Sequence, residues 1–225
     1  MHRSIILVFF LINFYSTGCS QNNTKQPINK ETGKKEIKVG GSCEGCEAIY
    51  ESPILFEKLT NMVWLPDWNE KETRLAVNGI VYTADSIPAA GVIIYIYHTD
   101  QTGVYPVKGD EKGWAKRHGY LRGWMKTNEK GEYKFSTRRP ASYPGGKNPA
   151  HIHVIIKEPG KSEYWIDEYV FDDDPFLTTE ERNRMQNRGG SGILKIPPYF
   201  VGKSFVKSER NIYLGKNIPD YPTTR

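Results

Sequence analysis

The stretch Tyr143-Pro144-Gly145-Gly146-Lys147-Asn148-Pro149-Ala150-His151-Ile152-His153 runs on into Val154-Ile155-Ile156. Its second half has the β-branched composition of a strand. Residues two apart on a strand share a face. His151 and His153 therefore aim to one side, and Ile152, Val154 and Ile156 to the other. A tyrosine stands at a Tyr-Pro turn just upstream. Paired imidazoles beside a phenolate source suit a transition metal that accepts nitrogen and hard oxygen, such as iron.

Strand patterns recur on both sides of this stretch. Residues 75–82, 91–97, 131–137, 150–157 and 164–171 read as strands, with turn residues between them. Thr178 with Glu181 three residues on is a capping-box pattern, which predicts one short helix over 179–187. Segments 205–206 and 211–214 read as a closing hairpin. Residues 40–72 hold short apolar pieces such as Ile54-Leu55-Phe56 with no readable period. Several short strands at close spacing predict an all-β fold, a β-sandwich with short helical and loop additions. No internal repeat is visible.

The N-terminus reads as a leader. Met1-His2-Arg3-Ser4 is a short basic start, and Ile5 to Phe14 is apolar but too short to span a bilayer. Ser16-Thr17-Gly18-Cys19 then places small residues before a cysteine. This is the layout of an export signal and resembles a bacterial lipobox, with Cys19 as the lipidated first residue. The alternative is a plain signal peptide with an incidental cysteine. The organisation expected is a lipoprotein signal peptide at 1–18, a polar tether at 19–38 and one domain over 39–225. Such a chain is anchored to the cell envelope and does not span it.

The 225 residues carry a formal charge of +5, which falls to +4 without the leader because only Arg3 is lost. The basic residues are scattered among acids, so no nucleic-acid footprint is present. Two cysteines remain after Cys19, in Cys43-Glu44-Gly45-Cys46. An exported chain permits a disulfide there. A zinc site would need two more ligands, and the βαβ pattern of a thioredoxin-like redox centre is missing. A local structural staple is the expectation, beside a free dithiol or a metal-linked role.

Five motifs follow one another in order. They are Asp100-Gln101-Thr102-Gly103-Val104-Tyr105; Arg122-Gly123; Thr127-Asn128-Glu129-Lys130-Gly131-Glu132-Tyr133-Lys134-Phe135-Ser136-Thr137; Pro140-Ala141-Ser142-Tyr143-Pro144; and Pro149-Ala150-His151-Ile152-His153. His-x-His alone would be a weak signal. The ordered set resembles the intradiol ring-cleavage dioxygenases, the family of catechol 1,2-dioxygenases and protocatechuate 3,4-dioxygenases, over roughly residues 75–175.

The resemblance implies a non-haem Fe(III) held by two tyrosinates and two histidines, here Tyr105, Tyr143, His151 and His153. Phenolates are hard anionic donors that favour ferric over ferrous iron. It also implies a catechol-type substrate, O₂ as co-substrate and a muconate-type diacid as product. Tyr105 would be displaced and accept a substrate proton. Tyr120 in His118-Gly119-Tyr120 rivals Tyr105 as first tyrosinate, and His98 and His118 are read as non-ligands. A homo-oligomer stays open, although the helical N-terminal dimerisation segment of catechol dioxygenases has no counterpart.

Two positions depart from the family pattern. Asn148 stands where an arginine usually precedes the His-x-His run, and Glu168 stands where a glutamine is expected. Both changes lower the positive potential near a bound substrate, and Lys147, Arg138 or Arg139 are the cations that could compensate. Losing one preorganised charge-stabilising donor can cost about 3–4 kcal/mol of transition-state stabilisation. The alternatives to ring cleavage are therefore a metal- or ligand-binding β-sandwich lipoprotein and a structural envelope module.

Overall fold

A computed structural model describes residues 29, 35–69, 73–198 and 204–222. The expected leader at 1–18, Cys19 and most of the tether lie outside the described residues. The chain forms β1 (Met62–Trp64), β2 (Arg74–Tyr82), β3 (Ile93–His98), α1 (Ala115–His118), β4 (Arg122–Lys126), β5 (Glu132–Arg138), β6 (His151–Lys157), β7 (Tyr164–Phe171), α2 (Thr179–Arg184), β8 (Ile193–Leu194), β9 (Phe205–Glu209) and β10 (Ile212–Tyr213). Two 3-10 turns, Cys46–Glu51 and Phe56–Lys58, precede β1. Among the described residues no helix is long and apolar enough to cross a membrane.

The strands make two sheets, as the all-β sandwich reading expects. One runs β1-β5-β2 with β9 and β10 along the far side of β2; the other runs β4-β3-β6-β7-β8. Leu75, Val77 and Phe135 from the first meet Ile94, Ile96, Ile152, Val154 and Ile156 from the second in one core. Each such side chain contributes roughly 1.5–3 kcal/mol on full burial. The second sheet is covered on its outer face as well. There Ile93, Tyr95, Trp124 and Ile155 pack under Cys46, Ala48, Ile49 and Tyr50. This double burial is why β3 reads as a continuous apolar run instead of an alternating one.

Two expectations are corrected. Segments 205–206 and 211–214 do not form a hairpin. β9 and β10 both pair in parallel with β2, Phe205 opposite Arg74 and Ile212 opposite Val81. They are successive lengths of one edge path, broken at Arg210, whose guanidinium turns inward to the Asp167 carbonyl at 2.7 Å. Gly79 permits the break, since a Cβ there would overlap the Arg210 carbonyl oxygen. The helix expected over 179–187 ends at Arg184. Its N-cap stands as anticipated, with Thr178 Oγ1 accepting from the Glu181 amide at 3.3 Å, but Met185 is already extended and Asn187 has φ 54°.

Candidate metal centre

β6 places its histidines on the outer face of the second sheet, as the alternation demands. Asp174 fixes where the strand begins, its Oδ2 accepting from the Ala150 amide at 2.9 Å. Across from His153, β7 carries a bulge. Ile152 pairs with Tyr169 but Val154 pairs with Ile166. The extra residue lets Ile166 and Tyr169, three apart, both enter the core. It also turns Glu168 toward His153, the kind of re-aiming that bulges perform beside functional sites.

Two loops supply the tyrosines. In the first, Asp100 Oδ1 accepts from the Thr102 amide at 2.8 Å and the Thr102 hydroxyl at 2.6 Å, closing the turn before Tyr105. The second turns at Tyr143-Pro144-Gly145-Gly146, where the Gly146 amide donates to the Tyr143 carbonyl at 3.0 Å and Gly145 has φ 71°. Proline then glycine with positive φ is a type II turn. The loops are pressed together. Thr99 Oγ1 donates to the Ala141 carbonyl at 2.8 Å, and a Cβ on Gly103 would overlap the Ser142 carbonyl oxygen.

The result is one chain of contacts. His153 Nε2 lies 2.7 Å from the Tyr105 hydroxyl, which lies 2.6 Å from the Tyr143 hydroxyl, which lies 3.1 Å from His151 Nε2. The other ring nitrogens are engaged elsewhere. His151 Nδ1 meets the Pro149 carbonyl at 2.8 Å, and His153 Nδ1 meets Glu168 Oε1 at 2.7 Å. Fixing Nδ1 in this way leaves each Nε2 lone pair directed at the phenols, the usual support for metal-binding histidines.

Electrostatics agree with this division. Burial raises the Tyr105 phenol well above its ordinary pKa, and the hydrogen bond to Tyr143 and the charges of Tyr143, Tyr97 and Glu168 push it further. Burial raises Tyr143 too, and burial lowers His151. In the absence of a cation the site thus favours neutral phenols. Burial opposes ionisation of Glu168, yet the hydrogen bond from His153 and the charges of His153 and His151 hold it at about 2. His151, His153 and Glu168 also have potential ligand atoms within 4.8 Å of one another. Glu168, however, sits on the nitrogen opposite Tyr105, so its position is that of a supporting carboxylate. Two imidazole nitrogens and two phenol oxygens joined in one chain of short contacts are a donor set that fits iron.

Three further residues stand outside this chain of contacts, the rival Tyr120 and the histidines His98 and His118. Tyr120 lies under the Lys108 ammonium, 4.4 Å from its ring centre, with Asp67 and Arg138 acting on its hydroxyl. His98 is fully buried, with Nδ1 on the Thr99 carbonyl and Nε2 on the Thr137 hydroxyl. His118 bonds Tyr95 at 2.9 Å.

Asn148 is exposed and, with His151, Trp165 and Glu168, lines a cavity of 330 Å³. Lys147 is exposed. Arg139 is held by both oxygens of Asp173, and Arg138 is buried. Arg184 lines the same cavity, paired with Glu181 at 2.5 Å. Sequence reading missed Arg184, which lies in no motif, and used Asp174 in Asp174-Pro175 only as the marker that locates Glu168; the folded path of α2 and the β7–α2 turn brings both here.

A family model for dioxygenases matches residues 56–186, more than half of the chain. The chain belongs to the intradiol ring-cleavage dioxygenases. Catechol 1,2-dioxygenase 1 of Acinetobacter lwoffii is 27% identical over 135 residues, which are 50% of this chain and 43% of the relative. Hydroxyquinol 1,2-dioxygenase of Rhizobium sp. (strain MTP-10005) is 28% identical over 127 residues, 49% and 41% of the two chains. The match thus spans less than half the length of either relative. Among solved structures, the dioxygenase domain of a dioxygenase–carbohydrate-binding fusion from Streptomyces sp. SirexAA-E superposes with a TM-score of 0.52 at 22% identity. It covers 67% of this chain and 85% of that one. Catechol 1,2-dioxygenase from Acinetobacter sp. ADP1 gives 0.52 at 17% identity, over 74% and 61%. At these identities the superpositions speak for the fold.

Proposed function

We propose that this protein is a non-haem Fe(III)-dependent dioxygenase that opens a catechol-type ring between its two hydroxylated carbons, using O₂ and giving a muconate-type diacid. The observation that carries the reading is the single chain of short contacts that joins His153, Tyr105, Tyr143 and His151. These four residues would hold the iron. Bound there, ferric iron would supply Lewis acidity and a template for the two catechol oxygens.

The chain's own groups do the rest. Glu168 and the Pro149 carbonyl orient the imidazoles. With iron bound, Tyr105 would be held as a tyrosinate, and a proton given up by a catechol hydroxyl would then have an acceptor at Tyr105 Oη. Glu168 adds negative charge to the wall of the cavity that Asn148 also lines, which favours a catechol without a carboxylate. Purified protein grown with iron should be coloured by phenolate-to-iron charge transfer. A colourless protein filled with zinc contradicts the proposal.

A second reading is kept for one reason. Asn148 supplies no fixed cation, and Arg139 is tied to Asp173. Those two features favour a sandwich that binds metal and ligand without ring cleavage. We further propose a lipid anchor on Cys19 at the cell envelope. The basic, apolar and small-residue succession of residues 1–19 and the Cys43–Cys46 disulfide support it. Mass analysis of the mature N-terminus tests it: an acylated Cys19 is expected, and an intact Met1 contradicts it.

A further inference from the structure

The Cys43–Cys46 disulfide shares a cavity with one histidine of the candidate metal centre. Cys43 lines a cavity of 290 Å³ together with Tyr97, His153, Trp165 and Glu168. Cys46 is 2% exposed and opens the 3-10 turn that covers the outer face of the sheet carrying the histidines. Between the cysteines, Gly45 adopts φ 81°, and a Cβ there would stand 3.1 Å from His118 Nε2 and 3.2 Å from Trp114. The loop is therefore seated directly on the His118 ring. Glu44 ties the same loop to Arg117 at 2.6 Å.

Behind His118 the rings are layered. His118 and Tyr97 stack with centroids 3.7 Å apart and planes 5° apart, and Tyr97 stacks on His153 at 4.4 Å and 15°. The other side of His118 is held by Tyr95 through Nδ1. A layered pair of this kind has little freedom to slide without losing contact on both faces. Glu168 fixes one nitrogen of His153, and the stack fixes the plane of its ring.

We infer that the disulfide loop is a clamp which, through His118 and Tyr97, positions the His153 imidazole in the metal centre, so that reduction of Cys43–Cys46 loosens metal retention. The inference rests on the proposed function for one point, that His153 is a metal ligand. Reduction by a dithiol breaks the S–S bond with two electrons and two protons, gives two cysteine thiols and oxidises the dithiol to its disulfide. His118 and Tyr97 are positioning residues; neither belongs to the chain of contacts that joins the four donors.

The test uses the full chain loaded with iron and reads two quantities, the rate at which a competing chelator removes iron and the visible absorption band. Three variants are compared with the wild type: Cys43→Ser with Cys46→Ser, His118→Ala and His118→Phe. The cysteine double variant and His118→Ala are expected to lose iron about tenfold faster and to shift the band, whereas His118→Phe, which keeps a flat ring on Tyr97, stays within about twofold of wild type. A disulfide-free chain that retains iron and colour like the wild type overturns the inference, as does His118→Phe behaving like His118→Ala. Should the double variant fail to fold, the two His118 variants decide alone. A wild-type chain that takes up no iron overturns the ferric reading and the clamp together, while iron release indifferent to the loop overturns the clamp only.

Discussion

The Tyr105 hydroxyl lies 2.6 Å from the Tyr143 hydroxyl, although 38 residues separate them. That contact joins two loops that leave different strands, and it separates Tyr105 from its rival. Tyr105→Phe and Tyr143→Phe should each bleach the visible band of the iron-loaded protein and weaken iron binding. Tyr120→Phe should change neither. Absorption spectra of the three variants at equal iron decide; bleaching by Tyr120→Phe alone would reverse the assignment.

Gly103 is where the two loops touch. Its φ of 79° already disfavours a side chain, and a Cβ would overlap the Ser142 carbonyl. Gly145 has φ 71° but no atom within 4 Å of an added Cβ. Gly145→Ala should therefore cost only the conformational term, about 1 kcal/mol. Gly103→Ala should cost more and should also lower iron affinity by pushing Tyr105 from Tyr143. Urea unfolding and iron titration check both, and equal effects at the two positions would count against the loop contact.

Glu168 separates support from substrate contact. Glu168→Gln keeps the shape but replaces an anion on His153 Nδ1 with an amide, so iron affinity should fall roughly tenfold. The same change removes a negative charge from the cavity wall. Binding of protocatechuate relative to catechol should then improve. Unchanged iron affinity and an unchanged preference in Glu168→Gln would contradict both roles.

His98 makes acid stability predictable. It is fully buried, and burial lowers its pKa to about 4 despite the opposing bond to the Thr99 carbonyl; the charges of Arg138, His153 and His151 add to the lowering. An unfolded chain takes up this proton near pH 6.5, the folded one only near 4. The contribution is thus complete above about 6.5 and is lost as pH falls toward 4, roughly 3 kcal/mol over the window. Urea unfolding of metal-free wild type and His98→Gln between pH 7 and 4 should show a shallower pH dependence for the variant. Parallel curves would show that His98 does not titrate this way.

The sandwich and the histidine strand were readable because alternation in 150–157 and the β-branched run of 91–97 are local signals. The two strand faces follow from them directly. The resemblance put Tyr105 first with Tyr120 as its rival, but the approach of Tyr105 to Tyr143 carries no local signal, since it depends on Gly103 meeting Ser142 across a loop. Glu168 could be located by spacing, but its aim at His153 comes from a bulge set by the needs of Ile166 and Tyr169 in the core. The edge path of β9 and β10 was misread as a hairpin because two short apolar segments close in sequence usually turn back. Here the approach of Arg210 to Gly79 keeps them in one direction. β4 went unrecognised as a strand because Arg122-Gly123-Trp124-Met125-Lys126 has no alternation, its two faces being covered by different clusters.

The most direct measurement of the ring-cleavage account is oxygen uptake by the iron-loaded full chain with catechol and a panel of substituted catechols, using ¹⁸O₂ and mass analysis of the product. The account predicts one O₂ consumed per ring and both labelled atoms in a muconate-type diacid. A protein with its iron site filled that consumes no O₂ with any catechol of the panel would contradict it.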